Sequence, residues 1–341
     1  MKISANFLPE DFPLFIESVK TAEEAGYARA WVVDSQMLWE DVWVYMTHGL
    51  AATERIQLGV AVSNPVTRHY SVSASAAATL AKLHPGRVIL GLGRGDSAVR
   101  TLGLKQFATS RMREIVPRVR ELMAGREMDL DGTPIRIRWA SEHVPILMAA
   151  TGPRNLRLAG AVADGAMVQV GVNPVGVRWA IDQVRAGAEE AGRDPDEVEI
   201  ALFCGMWVSD DLEEAREQTR WAAACAANHL GDVMKRVPDH DMPEELTRLV
   251  DARTEAYDYY EGHLDSSAEH TGWLTGELID DYAITGPPER CLERLRELAE
   301  VGVDEIAGNY LNGELEQMRR VGRDILPALP GVRREPLVRE A

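Results

Sequence analysis

Short apolar runs recur along this chain, each closed by a polar or glycine-containing turn and followed by a longer stretch with apolar residues at three- and four-residue spacing. The runs read as strands and the stretches between them as helices. Strands are expected at 2–7, 28–34, 56–62, 87–93, 145–151, 166–172, 199–208, 281–286 and 304–309. Helices are expected at 11–26, 40–54, 71–86, 110–125 (with a proline inside), 154–163, 174–192 and 288–302, plus a long helical tract from Asp211. The strands are almost continuously apolar rather than alternating, which is the pattern of a parallel sheet buried on both faces. Eight or nine βα pairs in 341 residues predict a (β/α)8 TIM barrel with insertions, with a doubly wound open sheet as the alternative. Two insertions interrupt the rhythm. Residues 128–138 read as a hairpin turning on Asp-Gly. A polar segment carrying His and Tyr, about 228–280, has no clear βα pattern. No low-complexity linker divides the chain, so 1–341 reads as a single domain.

Composition narrows the function. A hydrophobic share of 45% supports a sizeable core, and no apolar run approaches the roughly 18 residues of a membrane span. The N-terminus MKISANFLPEDF lacks the apolar region and cleavage site of a secretory signal. Thirty-seven Lys and Arg against 54 Asp and Glu give a formal charge of −17. That balance argues against nucleic acid or a membrane surface as partner, and leaves room for a local cluster that holds an anionic small ligand. Cys204, Cys225 and Cys291 are few, odd in number and far apart, which points to neither metal nor disulfide framework and to a cytoplasmic setting.

On a barrel the chemistry gathers where strands end. VILGLGRGDS, residues 88–97, runs from an apolar strand into Gly91, Gly93 and Gly95, with Arg94 and Asp96 among them. The spacing is GxGxG at the fourth strand, not the GxGxxG of a dinucleotide fold at the first. Such glycines suit a ligand lying on the backbone, and equally a tight barrel corner. Other strand ends contribute Asp34 and Ser35, then Ser63, Asn64, Thr67, Arg68 and His69, then Ala150, Thr151, Gly152, Pro153 and Arg154 before a helix start that suits an anion. T-G-P recurs at 285–287. Singly, each of these residues also serves as an ordinary cap or turn. Together they place Asp, Ser, Asn, Thr, Arg and His around one rim. Trp39 and Trp43 have a core reading and a ring-stacking reading, and YDYYEGH (257–263) reads either as pocket lining or as an aromatic cover.

The segment VSNPVTRHYSVSASAAATLAKLHPGRVILGLGRGDSAVRTLG resembles the core of the bacterial luciferase-like monooxygenase superfamily. Within it the chain is similar to the methylenetetrahydromethanopterin reductase branch, which uses the deazaflavin coenzyme F420. ILMAATGPRNLRLAGAVADGAMVQ and DYAITGPPERCLERLRELAEVGVDEI continue the resemblance. It implies an isoalloxazine-type ring over the C-terminal rim, backed by a non-proline cis peptide that maps to Ala61–Val62. Ser35, Ser63, Gly93, Arg94, Gly95 and residues 150–153 then become cofactor contacts, with Gly93 and Gly95 letting the backbone lie against the ring. Asp34, His69 and Asp96 become the catalytic candidates. Deazaflavin relatives often carry Asp-His after strand two, where this chain has Asp34-Ser35. The proton donor is then sought at His69, Asp96, His263 or His270. The family's dimers imply a homodimer here, through the small-residue helix at 71–83 or, alternatively, through AAACAA at 222–227.

The resemblance implies an F420-dependent oxidoreductase moving a hydride between the deazaflavin C5 and a small imine, enone or alcohol/carbonyl substrate. The alternative on the same fold is an FMN monooxygenase using reduced flavin and oxygen. A second alternative is a non-catalytic flavin-binding barrel, which predicts that the 228–280 segment fills the rim.

Overall fold

The computed structural model describes residues 1–237, 241–252, 266–267, 271–310 and 313–329. Its strands in chain order are β1 (Lys2–Phe7), β2 (Arg29–Val32), β3 (Gln57–Ser63), β4 (Val88–Leu92), β5 (Met128–Leu130), β6 (Thr133–Ile135), β7 (Ile146–Ala150), β8 (Gly165–Val168), β9 (Glu199–Val208), β10 (Ala283–Gly286) and β11 (Glu305–Asn309). Parallel pairing runs β1, β2, β3, β4, β7, β8, β9, β11 and returns to β1, closing an eight-stranded barrel with helices between the strands. The open-sheet alternative is excluded by that closure.

β5 and β6 form the expected hairpin, with Asp131 and Gly132 both at positive φ in its turn. β10 lies outside the ring. β8 and β11 occupy the first half of β9, so β10 pairs only with its far end, Ala283–Gly286 against Gly205–Val208. The segment read as an insertion from about 228 starts inside a helix, Leu212–Arg236. AAACAA lies on that helix and is buried in the protein, so it offers no free face. Tyr257–His263 and His270 lie outside the described residues. Among the described residues no helix is long and apolar enough to cross a membrane.

Inside the barrel the side chains stack in layers. At the N-terminal end, buried Arg29 holds Glu199 at 2.9 and 3.0 Å and also pairs with Glu305. Lys2 adds a bond to Glu199 at 2.8 Å, and Gln57 accepts from Arg29 Nε at 3.0 Å. Two residues along β2, on the same face, Trp31 donates its indole N–H to Glu305 at 2.7 Å. Above the polar layer Trp31 packs with Ile89, Leu147, Met167, Ala201, Phe203 and Ala307. Ala61, Val62 and Ala149 sit against this cluster. The larger core lies between barrel and helices, where Trp43 is buried.

Candidate active site

A cavity of ≈ 310 Å³ opens at the C-terminal ends of the strands, within the usual size range for a small-molecule site. Val62, Met167, Phe203 and Ala149 reach it from the apolar cluster inside the barrel. Its wall carries the strand-end residues Asp34, Ser35, Asn64, Gly93, Arg94, Gly95, Asp96, Ala150, Thr151 and Gly152, together with Ala61. The described part of the 228–280 segment lines this cavity without filling it, and residues 253–265 and 268–270 lie outside the described residues.

The peptide bond between Ala61 and Val62 is cis, at the position the resemblance implied. Register with β4 shifts here, between Val60 and Ser63. The glycines of the next loop answer to this wall. A Cβ on Gly93 would stand 2.6 Å from Val62 Cγ2. On Gly95, at φ +85°, it would stand 2.2 Å from Val99 Cγ2 and 3.3 Å from Asn64. Both residues border the cavity, yet the space their missing side chains vacate belongs to protein atoms. The packing supports the tight-corner reading of these two glycines, which still border the cavity.

The loops after β2 and β4 are tied together, as neighbouring strand ends should be. Ser35 Oγ donates to Ser97 Oγ at 2.9 Å, and Gln36 Nε2 donates to the Ala98 carbonyl at 2.9 Å. Arg94 is fixed by its Nε–H to the Phe107 carbonyl. Burial and the nearby Arg236 lower its pKa.

The two carboxyls expected to be catalytic sit in opposite environments. Burial raises the Asp34 pKa, the Ser63 hydroxyl and Arg68 pull it down, and Asp41 pushes it up, with a net rise. Burial also pushes Asp96 upward, but the hydrogen bond and charge of His229 and the pairing with Arg100 win, holding it well below the usual carboxylate range. Asp96 Oδ2 lies 3.0 Å from His229 Nε2, and Oδ1 accepts from Arg100 Nε at 2.5 Å. Arg100 also pairs with Asp232, so the β4 loop is clamped to the helix Leu212–Arg236.

Three expected site residues stand off the cavity wall. His69 caps the helix Tyr70–Leu83, accepting from Ser71 N–H at 3.4 Å, and its exposed ring lies against Tyr70. Ser63 is fully buried behind the wall, reaching the site only through Asp34. Pro153 opens the helix Pro153–Val162, where its missing N–H costs nothing, and does not line the cavity.

Other lining residues were not anticipated. Trp221, Cys225, His229, Asp232 and Arg236 form one stripe of the helix Leu212–Arg236 along the cavity. Their spacing of four, four, three and four residues is the helical period, so the stripe was readable from sequence once the helix was carried past residue 228. Of the two tryptophans given both a core and a ring-stacking reading, Trp39 lines the cavity and Trp43 belongs to the core. Asn6 and Asn309 face each other from the ends of β1 and β11, with Asn6 Nδ2 donating to Asn309 Oδ1 at 2.9 Å.

Two buried amide atoms at the cavity find no hydrogen-bond partner among the described residues: Asn64 Nδ2 and Asn6 Oδ1. Asn64 is 1% exposed and its other amide atom, Oδ1, is engaged by the Val66 and Thr67 N–H groups at 3.1 and 3.0 Å. Unsatisfied buried polar atoms are uncommon, and each calls for a water, an ion or a ligand as its partner.

The luciferase-like monooxygenase family profile matches residues 5–305. A 5,10-methylenetetrahydromethanopterin reductase of Methanolobus tindarius is 30% identical over 336 residues, covering 96% of this chain and all of that protein. An F420-dependent glucose-6-phosphate dehydrogenase of Microbacterium testaceum is 27% identical, covering 90% of each chain. Among solved structures, the coenzyme F420 dependent tetrahydromethanopterin reductase from Methanopyrus kandleri superposes with a TM-score of 0.76 at 24% identity, covering 96% of this chain and 98% of that one. With its closed barrel, its cavity at the strand ends and a match over most of its length, the chain belongs to the luciferase-like monooxygenase family.

Proposed function

We propose that this protein is an F420-dependent oxidoreductase that moves a hydride between a deazaflavin and a small imine, enone or alcohol/carbonyl substrate. The observation that carries the reading is the pair of unpartnered amide atoms, Asn64 Nδ2 and Asn6 Oδ1, in a strand-end cavity with an apolar floor. A flat ring with alternating carbonyl and N–H groups on one edge asks for that combination: apolar surface beneath, and one donor and one acceptor at the side. The full-length relatives that use F420 support the choice of ring.

When bound, the deazaflavin supplies a two-electron hydride at its C5 position. The protein's part is to orient and to exclude water. Ala61, Val62 and Gly93 supply the apolar wall, Asn64 the amide donor, and Thr151 a hydroxyl at the wall beside Gly152. Asp96, held as a carboxylate, is a fixed negative charge rather than a source of protons.

The test is a titration of the purified protein with oxidised F420 and with FMN, side by side, followed by oxygen uptake of the reduced complex. Tighter F420 binding with little oxygen consumption is expected. Tight FMN retention with peroxide release on reduction would replace this reading by the flavin monooxygenase one.

A further inference from the structure

Hydride addition to C=N, C=O or a conjugated C=C leaves an electron pair that takes up a proton, so the reaction proposed above needs a donor within hydrogen-bond reach. The inference that follows rests on that proposal. The hydroxyl of Ser35 is spent on Ser97. His69 is a helix cap away from the cavity. Asp96 is a carboxylate.

His229 lies on the cavity wall, and each of its ring nitrogens faces an oxygen. Nε2 is 3.0 Å from Asp96 Oδ2 and Nδ1 is 2.8 Å from Gln169 Oε1. A carboxylate and an amide oxygen only accept, so the ring satisfies both when it carries N–H on each nitrogen. Asp96 is itself braced by Arg100 Nε, and Arg100 by Asp232 three residues beyond His229 on the same helix. The ring is thereby fixed in orientation by a carboxylate on one side, the arrangement of an oriented general acid. Gln169, on the other side, directly follows β8 and lines the same cavity.

We propose that His229 is the proton donor of the reaction, and the acceptor in reverse, with Asp96 as its positioning residue. The substrate's heteroatom takes the place of Gln169 Oε1 at Nδ1. A C–H bond forms with the hydride from the reduced deazaflavin, and the π pair moves to the heteroatom. The Nδ1–H bond breaks as the proton follows. The ring is left neutral, keeping its Nε2–H donated to the Asp96 carboxylate, and the deazaflavin is left oxidised. The proton comes from the helix Leu212–Arg236 rather than from the end of β2.

Two measurements test this. In the protein without cofactor, nitrogen-15 NMR of labelled histidine should show hydrogen-bonded N–H on both His229 nitrogens, with the Nε2 signal shifting in Asp96→Asn. A free, solvent-exchanging ring would overturn the assignment. In the loaded protein, reduced F420 is reacted with whichever of cyclohex-2-enone, 1-pyrroline and propan-2-one the wild type reduces fastest. His229→Asn should bind oxidised F420 within threefold of wild type, lower kcat by about 10²-fold or more, change KM little, and lose more than Asp34→Asn. Turnover within threefold of wild type, or a larger loss in Asp34→Asn, overturns the proposal. So does a tenfold loss of F420 affinity in His229→Asn, which would make the residue a cofactor contact. Failure of the wild type to bind F420 would instead overturn the functional reading on which the proposal rests.

Discussion

Asp34 and Asp96 border one cavity with their carboxyls displaced in opposite directions, Asp34 above its ordinary pKa and Asp96 below it. Environments that push two carboxyls apart assign them different work. They also leave a signature in stability.

For Asp34 the folded pKa is raised, so folding favours the protonated form. The penalty of its charge grows as pH rises through the unfolded value, near ~3.9, toward the folded one. Asp34→Asn should therefore stabilise the fold at neutral pH by about 0.5–2 kcal/mol, the usual return from relieving a strained functional site, and the gain should vanish in acid below that window. For Asp96 the folded pKa is lowered, so its contribution is present above ~3.9 and is lost as pH falls through the folded value. Asp96→Asn should cost about 1–3 kcal/mol at neutral pH, because His229 and Arg100 lose a charged acceptor that is only partly exposed, and the deficit should shrink in acid. Urea melts of both variants across that range check the signs; two variants moving in the same direction would refute the assignment.

The ion cluster at the opposite end of the barrel should affect stability and leave ligand binding alone. Arg29 is fully buried between Glu199 and Glu305. Arg29→Met would leave Glu305 without a cation and Glu199 with Lys2 alone, and breaking a buried pair from one side costs about 3–5 kcal/mol. Glu305→Gln, which keeps an acceptor for Trp31, should cost less. Urea midpoints should fall in that order, while F420 affinity of the folded protein stays within twofold. A loss of affinity without a loss of stability would contradict the layered interior.

Gly93 and Val62 should behave as a coupled pair. The Cβ of Gly93→Ala would stand 2.6 Å from Val62 Cγ2, and overpacking of this kind costs about 1–3 kcal/mol. Val62→Ala removes the obstructing methyl, so the double variant should be more stable than the sum of the singles predicts. Gly95→Ala should resist an equivalent rescue by Val99→Ala, because its φ of +85° strains any L side chain regardless of space. Additive behaviour of Gly93 and Val62 in thermal melts would show that the wall relaxes there freely.

The barrel was legible because its strands are continuous apolar runs, a signal that depends on nothing outside each run. The same holds for the strand-end residues: Asp34, Arg94 and Asp96 reach the cavity because every strand of a parallel barrel ends on the same side. His69 misled because a histidine at a helix start serves the backbone as readily as it serves a substrate. His229 was passed over for a different reason. Its partners Asp96 and Gln169 lie 133 and 60 residues away in the chain, and its helix continued into a stretch whose polarity suggested a break. The roles of Gly93 and Gly95 were half legible. Glycine announces a close approach, but only the coordinates show that Val62 and Val99 are what approaches.

Asn64 offers the sharpest test of the cavity as a ring site. Its Oδ1 holds the turn at Val66 and Thr67, and its Nδ2 is buried without a partner among the described residues. Under the proposed function the two halves of one amide have separate tasks, one structural and one left for a ligand. Asn64→Asp keeps an acceptor for both backbone N–H groups and replaces the donor by a second carboxylate oxygen. Both turn hydrogen bonds survive, but a carboxylate at a site 1% exposed carries a desolvation cost, so stability should fall by about 1–3 kcal/mol while the protein stays folded. A ligand carbonyl facing that oxygen would lose a hydrogen bond and meet a negative charge, so F420 affinity should fall at least about tenfold, equivalent to ~1.4 kcal/mol. Asn64→Ala should lose the turn's hydrogen bonds along with the affinity, because it removes the turn's acceptor as well. Fluorescence titration alongside urea melts separates the cases. Wild-type affinity in a folded Asn64→Asp protein would mean that the amide does not meet the ring, and the cavity would then have to recognise its cofactor without the donor on which the proposed function rests.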